Sequence, residues 1–477
     1  MRLAIIALLA ATHTTTLLAQ GAARLSEQVR PFVRVDSAVV ALTNVRVIDG
    51  TGAAPRDNQT IVISNGKISA VGRAGQVRVP AGAQVLDLAG HTVIPGLVGM
   101  HNHLFYTAAG GRRAQLNFSA PRLYLASGVT TIRTTGSTSP YADINLKHAI
   151  DSGNVPGPQI YITAPYITGG DAPGQMARID TPEQARRFVA YWAEEGATWI
   201  KAYTDIRRAE LQAAIDEAHG RGLKVTGHLC SVSFTEAVGL GIDNLEHGLL
   251  TASDFVPAKM PDACPSSLMR DAGTADVAST TAQATIRALV GKRVSMTSTL
   301  AVYEPFFPGR PTKDQRTLDA MAPEVREAYL RARHQIDSAG AANPDYPLKV
   351  AMLQNAMAFE KAFFDAGGLL AAGVDPTGIG GALPGYGDQR NYEMLIEAGF
   401  TPAQAVQVVS TNGARILGIH DRLGSIEVGK VADLVVLSGD LAADRSVIRN
   451  VTIVFKGGIG YDSVKLIESV KGRVGIS

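Results

Sequence analysis

The sequence predicts an α/β protein: a (β/α)8 barrel of the TIM type with a small β-sandwich domain built from both chain ends. Three observations point there. Eight strand-like runs alternate with helical stretches between residues 91 and 419, the pattern of a parallel sheet with crossover helices. Short strands broken by turns fill residues 33–90 and return in 420–470, so the simplest architecture joins the two ends and inserts 91–419 between them. Five of the eight runs also carry a histidine, lysine or aspartate at or within two residues of their end. A doubly wound open sheet is the alternative, but no glycine-rich nucleotide loop follows the first run.

Taken in order, the chain opens with Arg2 and the apolar stretch Leu3–Ala11, followed by small residues through Ala19, Ala22 and Ala23. That reads as a secretory signal over residues 1–23, too short to span a bilayer. The mature protein is expected to be exported, periplasmic or secreted, without a membrane partner. The first β segment holds Val39–Leu42, Val45–Ile48, Thr60–Ile63 and Ile68–Val71, with Asn65-Gly66 as a type I′ hairpin signal. Its counterpart near the other end holds Gly424–Ile426, Asp433–Leu437 and Val451–Phe455.

The eight inserted strands are predicted at Leu97–His103, Val129–Arg133, Gln159–Ala164, Thr198–Tyr203, Leu223–His228, Asn244–His247, Val294–Leu300 and Leu369–Asp375. Thr181–Glu195 and Ile206–Arg221 are among the helices between them. Residues 248–290 and 302–366 exceed ordinary connections and should cover one face. The composition, 46% hydrophobic with 49 glycines and 6% aromatics over 477 residues, suits many tight strand-to-helix turns. Basic and acidic residues nearly cancel, 45 against 43, and no arginine-rich run occurs, which argues against a nucleic-acid partner.

The first strand ends in His101-Asn102-His103, and residues two apart on a strand share a face. Two such imidazoles can hold one cation at ~2.0–2.1 Å per nitrogen. Lys201, His228, His247 and Asp375 close strands four, five, six and eight. In a barrel the strand C-termini meet on one face, so these six groups should converge. Each alone has a plain structural explanation: a strand-end lysine, core histidines, a turn cap before Pro376. Six together at strand ends do not. His13, His91, His148, His219, His334 and His420 fall in the signal segment, loops or helices without partners. Tyr203, two residues past Lys201, faces the same side and either hydrogen-bonds a substrate carboxylate or carbonyl or serves packing; Arg133, closing strand two, is a second candidate for the carboxylate. Tyr106 is a weaker one. Cys230 and Cys264 either pair or stay as buried thiols. Since Cys230 lies two residues beyond His228 and Cys264 lies in the segment after strand six, both should sit on the site's face, and a disulfide is expected.

The order HxH, Lys, His, His, Asp resembles the amidohydrolase superfamily, in its imidazolonepropionase-like and prolidase-like branch. Ile94-Pro95-Gly96-Leu97, Thr131-Ile132-Arg133, Thr411–Gly418 and Gly424–Leu434 are similar to that family's text, and the likeness runs from about residue 39 to 460. The resemblance implies two divalent metal ions, zinc being the default for a histidine-rich hydrolytic site. His101, His103 and Asp375 would hold one ion and His228 and His247 the other. Lys201, carbamylated by CO2, would bridge them. A hydroxide shared by the ions would attack the carbonyl, with Asp375 passing the proton to the leaving nitrogen. Deaminases of the superfamily carry a glutamate three residues after the strand-five histidine; here that residue is Ser231, and no carboxylate follows before Glu236. The expected reaction is therefore hydrolysis of an amide-type C–N bond in a small molecule or short peptide, as by a dipeptidase, carboxypeptidase or N-acyl amino acid hydrolase. A lactonase or esterase on the same two-metal site is the alternative, and a non-catalytic relative acting as a binding module is another. Assembly into a homo-oligomer is left open.

Overall fold

The computed structural model describes residues 21–170, 176–311, 314–341, 343–344 and 346–475. The expected export segment, residues 1–23, lies almost entirely outside them. The fold is mixed α/β, and among the described residues no helix is long and apolar enough to cross a membrane.

Strands from the two ends of the chain interleave in one nine-stranded sheet. Its order runs Val33–Val35, Ile459–Asp462, Val451–Lys456, Leu434–Ser438, His91–Pro95, Val39–Val47, Arg56–Ser64 and Lys67–Arg73, with Gln84–Asp87 also paired to Val39–Val47. Alternate residues face one shared core: Val40 and Leu42, Ile61 and Ile63, Leu434 and Val436, Ile453 and Phe455. The sheet must curl for its distant strands to meet there. The two strands expected over Val39–Ile48 are one strand, Val39–Val47, in which left-handed Asn44 (φ 59°) shifts the register. Asn65 and Gly66 both take positive φ, as a type I′ hairpin requires. Gly424–Ile426 is not a strand. Gly424 turns the chain at φ +98°, and its carbonyl accepts from the Thr411 hydroxyl at 2.6 Å.

The middle of the chain supplies parallel strands in two ladders. Leu97–Asn102 pairs with Val129–Thr134, which pairs with Gln159–Tyr161. Thr163–Thr168 then leads a second ladder through Trp199–Ala202, Lys224–Gly227, Asn244–Glu246, Ser295–Ser298 and Leu370–Ala372. The third predicted strand is thus longer than expected and broken at Ile162. The ladders abut at both ends: Thr163 N donates to Thr134 Oγ1 at 3.0 Å, and Asp375 N donates to His101 O at 2.8 Å. At the second seam a Cβ on Gly373 would lie 2.2 Å from His101 N, so only glycine lets the last strand approach the first.

The helices between strands begin on orthodox caps. Thr181 accepts from Gln184 N at the start of Pro182–Glu194, and Ser233 with Glu236 makes a capping box for Phe234–Leu240. The segment after the sixth strand is tied back by the Cys230–Cys264 disulfide, with Cα atoms 4.9 Å apart. The expected pairing is present. Residues 302–366 are mainly two long helices, Pro323–Ala341 and Tyr346–Asp365.

Candidate metal centre

His101, His103, Lys201, His228, His247 and Asp375 all line one cavity of about 490 Å3 at the C-terminal ends of the parallel strands. The nitrogens and oxygens of His101, His103 and Asp375 lie within 4.8 Å of one another. Asp375 Oδ2 is 3.5 Å from His101 Nε2 and Oδ1 is 3.4 Å from His103 Nε2. Two ligands ~2.1 Å from a tetrahedral ion would be about 3.4 Å apart, so the spacing suits a shared cation. His247 joins from the other side, its ring 4.6 Å from that of His101 and 4.3 Å from that of His228. Both His247 (φ 70°) and Asp375 (φ 46°) hold the left-handed backbone conformation. For a residue with a Cβ that costs roughly 1–2 kcal/mol, and such strain collects at functional sites.

The groups behind the imidazoles fix which nitrogen faces the cavity. His103 Nδ1 lies 3.1 Å from Gly136 O, which can only accept, so the proton is on Nδ1 and Nε2 is free to act as a ligand. His101 Nδ1 donates to Glu246 Oε2 at 2.8 Å, with the same consequence. His247 Nδ1 meets Thr299 Oγ1 at 2.7 Å, and its Nε2 is buried with no hydrogen-bond partner. Burial pushes the His228 imidazole down to about 3 and those of His101 and His247 well below the ordinary value. Neighbouring cations add to the effect at each. The His228 and His247 rings are therefore neutral at pH 7, the form that binds metal. Burial tends to raise the Asp375 carboxyl, but His101 and His103 beside it hold it below the usual carboxylate range.

Lys201 is 1% exposed, and its Nζ has no hydrogen-bond partner among the described residues. Glu246 Oε1 is the near carboxylate, at 3.9 Å. Burial, aided by Arg133, lowers the amine to about 8 against the pull of Glu246 and Asp375. A buried primary amine without an acceptor is costly as an ammonium ion, and its neutral form is the one that can react or ligate.

Arg133 is not at the cavity. It is 0% exposed, donates through Nε to Met100 O at 2.9 Å and through Nη2 to Glu246 Oε1 at 2.6 Å, and lies over the Trp199 ring at 4.4 Å. The reading of Arg133 as a substrate contact is corrected: its side chain turns into the strand layer, where Glu246 needs a counter-ion. Tyr203 does line the cavity, between the rings of Tyr166 (5.4 Å) and His228 (4.7 Å). Burial raises its phenol to about 12, so it remains a donor. Tyr106 points away, donating to Gly380 O at 2.7 Å. Glu246, Tyr166 and Arg113 belong to the site and were not singled out beforehand. Glu246 carried a usable signal, an acid within an apolar strand next to His247. Tyr166 and Arg113 carried none.

Imidazoles around an ionised aspartate, on strand ends at the floor of a cavity, have the make-up of a divalent-metal hydrolase. The amidohydrolase family model matches residues 92–254 and 354–460, and the chain belongs to that family. Among curated relatives, the dihydroorotase of Pelobacter propionicus is 26% identical over 210 residues, 43% of this chain and 45% of that enzyme. The chain thus spans under half the length of that relative. The dihydroorotase of Pelotomaculum thermopropionicum is 24% identical over 81% of this chain and 86% of its own length. In solved structures the fold recurs in a Xaa-Pro dipeptidase with bound methionine, at TM-score 0.66 and 22% identity over 89% of this chain and all of the other. It recurs also in the ochratoxinase of A. niger, at TM-score 0.61 and 18% identity over 88% and 95%.

Proposed function

We propose that this chain hydrolyses amide-type C–N bonds in small-molecule or short-peptide substrates, as a dipeptidase, carboxypeptidase or N-acyl amino acid hydrolase, at a centre of two divalent ions. The observation that carries the reading is the Lys201 amine, buried with no hydrogen-bond partner among the described residues and lining one cavity with His101, His103, Asp375, His228 and His247. In this reading the two parallel ladders are one closed (β/α)8 barrel over residues 91–419, and the end-built sheet over 33–90 and 420–470 is a β-sandwich domain. Export to the periplasm or medium, by way of the segment 1–23, belongs to the same proposal.

His101, His103 and Asp375 would hold one ion and His228 and His247 the other. The donor set of imidazoles and one carboxylate favours zinc. Lys201 joins them once its neutral amine adds CO2, forming an N–C bond and releasing one proton to leave an acceptor with two oxygens. When bound, the ions polarise the scissile carbonyl and acidify water. Asp375 is placed to take a proton. It is ionised, and Thr377 donates to Oδ1 at 2.8 Å while Oδ2 stays turned toward the histidines. The same carboxyl group can then protonate the departing nitrogen, which an amide needs and a lactone does not. Ser231, at the deaminase position, donates to Ile206 O at 2.5 Å and is turned away from the chemistry. A lactonase or esterase would use the same residues; the non-catalytic reading is disfavoured because all six ligand positions are filled.

The test joins metal content to modification. Lys201→Ala should lose most of its metal, and Lys201→Arg should not restore it. Protein treated with 13C-bicarbonate should show a carbamate carbon resonance absent from both variants. Full metal content in Lys201→Ala would overturn the bridging role. A hydrolysis screen of metal-replete protein over dipeptides, N-acyl amino acids, lactams and lactones decides the bond cleaved.

A further inference from the structure

The cavity above the metal centre is two-sided. Over the first, third and fourth parallel strands its wall carries the polar groups Tyr166, Tyr203 and Arg113 beside Phe105 and Met176. Over the sixth to eighth Leu250, Leu268, Met269, Val302 and Phe306 form an apolar patch, interrupted by Thr251 and Ser266. Arg113 stands on a two-stranded hairpin, Phe105–Thr107 against Arg113–Gln115, in which Thr107 and Arg113 are direct partners. Phe105, Thr107 and Arg113 face the cavity, while Tyr106 and Ala114 turn to the core, the alternation of a β-ribbon.

The hairpin is held in place. Tyr106 Oη donates to Gly380 O, Thr107 N to Pro376 O at 3.1 Å and Gln115 Nε2 to Asp143 Oδ1 at 2.7 Å. Its neighbour Arg112 is paired with Glu324 at the surface. Arg113 has no ion-pair partner among the described residues, although it lines a cavity whose floor carries Asp375. Its charge reaches the phenols of both Tyr166 and Tyr203, lowering them against the larger effect of burial.

We infer that Arg113, with the Tyr203 hydroxyl, binds the carboxylate of an acylated amino acid whose bulky apolar acyl group lies against Leu268, Met269, Val302 and Phe306. The scissile amide then lies between the two walls, over the histidines and Asp375. A planar guanidinium suits a carboxylate because it can donate two parallel bonds. This deepens the proposed amide hydrolysis and rests on it for turnover, though not for binding.

Two readouts separate the claims. Calorimetric titration of metal-replete protein with the ketomethylene analogue of N-phenylacetyl-leucine, in which CH2 replaces the scissile NH, and with the C-terminal amide of that analogue reads recognition without chemistry. The acid should bind more tightly, and Arg113→Gln should shrink the acid-over-amide preference roughly 10- to 150-fold, the worth of a hydrogen bond to a charged group. Arg113→Lys should recover part of it. In hydrolysis the loss should fall on KM more than on kcat. Across N-acetyl to N-octanoyl leucine, wild-type kcat/KM should rise by up to about fourfold per methylene. Equal binding of acid and amide by the wild type, or an unchanged preference in Arg113→Gln, would overturn the role of Arg113. A flat acyl series would overturn the apolar wall. Selective binding of the acid with no hydrolysis of any amide would leave the recognition standing and remove the proposed reaction.

Discussion

Glu246 and His101 stand on different strands, and the carboxylate of the first receives the Nδ1 proton of the second at 2.8 Å. The other oxygen of the same carboxylate accepts from Arg133, Thr226 and Asn244, so both oxygens are partnered in a fully buried place. Burial would raise its pKa, yet Lys201 and Arg133 more than offset that, and it stays ionised. Its consequence for the centre is the tautomer: His101 can present only Nε2. Glu246→Gln keeps the shape but can offer its amide NH2 where an acceptor is needed. Metal affinity should fall by about 10- to 100-fold, the usual effect of losing a partner behind a ligand, read by competition with a chelating dye. Affinity equal to wild type would mean that the strand backbone alone fixes the ring.

The ligands themselves were legible in the sequence because strands end abruptly, and a polar residue closing an apolar run is visible without the fold. The strand starts were also legible, since β-branched runs and glycine turns mark them. The partners behind the ligands were not. Arg133 closes a strand as His101 does, and nothing local says that its side chain folds under Met100 and Trp199 rather than out into the cavity. That choice is made by Glu246, which is 113 residues away and needs a cation. Arg113 sits in a polar stretch where an arginine is unremarkable, and only the hairpin's register puts this exposed residue on the cavity side. Gly424–Ile426 failed as a strand for a simpler reason: the positive φ of Gly424 ends extended backbone.

The disulfide links the residue two past His228 to the segment whose Ser266, Leu268 and Met269 line the cavity. Its partners are 34 residues apart, and closing such a loop stabilises the fold by about 3–4 kcal/mol in the chain-entropy model. Other ties support the same segment: Lys259 Nζ donates to Ser231 O at 2.6 Å, and Arg208 donates to Asp262 at 3.0 and 3.1 Å. Cys264→Ser should therefore lower the denaturation midpoint and raise KM while keeping metal content. Midpoint, KM and metal content can be measured on one preparation. An unchanged KM would show that the remaining ties hold the wall unaided.

Glu360 gives the protein a pH dependence away from the catalytic groups. Its carboxyl group is 1% exposed in the helix Tyr346–Asp365, neither oxygen makes a hydrogen bond of normal geometry, and burial pushes it up to about 8, with the nearby Ser298 hydroxyl offsetting this only in part. The folded state keeps the proton to about pH 8, whereas the unfolded chain releases it near the ordinary value of 4.5. Between those values the native state holds more protons, so stability falls as pH rises and levels off above pH 8. The total is on the order of a few kcal/mol. Glu360→Gln should abolish this slope, and at pH 9 it should be more stable than wild type. Parallel stability–pH curves for the two proteins would assign the slope elsewhere.

Arg113 and Tyr203 offer the last prediction, since the two are assigned to one carboxylate. If both bind it, removing either already loosens the anion for the other, and the two losses cannot simply add. Tyr203→Phe removes only the hydroxyl and leaves the ring against His228 and Tyr166, so metal content should hold. Its cost on carboxylate substrates should be about 1.5–3 kcal/mol, or roughly 10- to 150-fold in kcat/KM. In Arg113→Gln/Tyr203→Phe the combined loss should fall short of the sum of the single losses by about 0.5–3 kcal/mol. On C-terminally amidated substrates that coupling should vanish, because the charge both residues share is gone. Additive losses on the acid would place the two residues on different parts of the substrate. Coupling of the same size on acid and amide would trace to contact between the side chains, and Tyr203 would then be a packing residue for the hairpin.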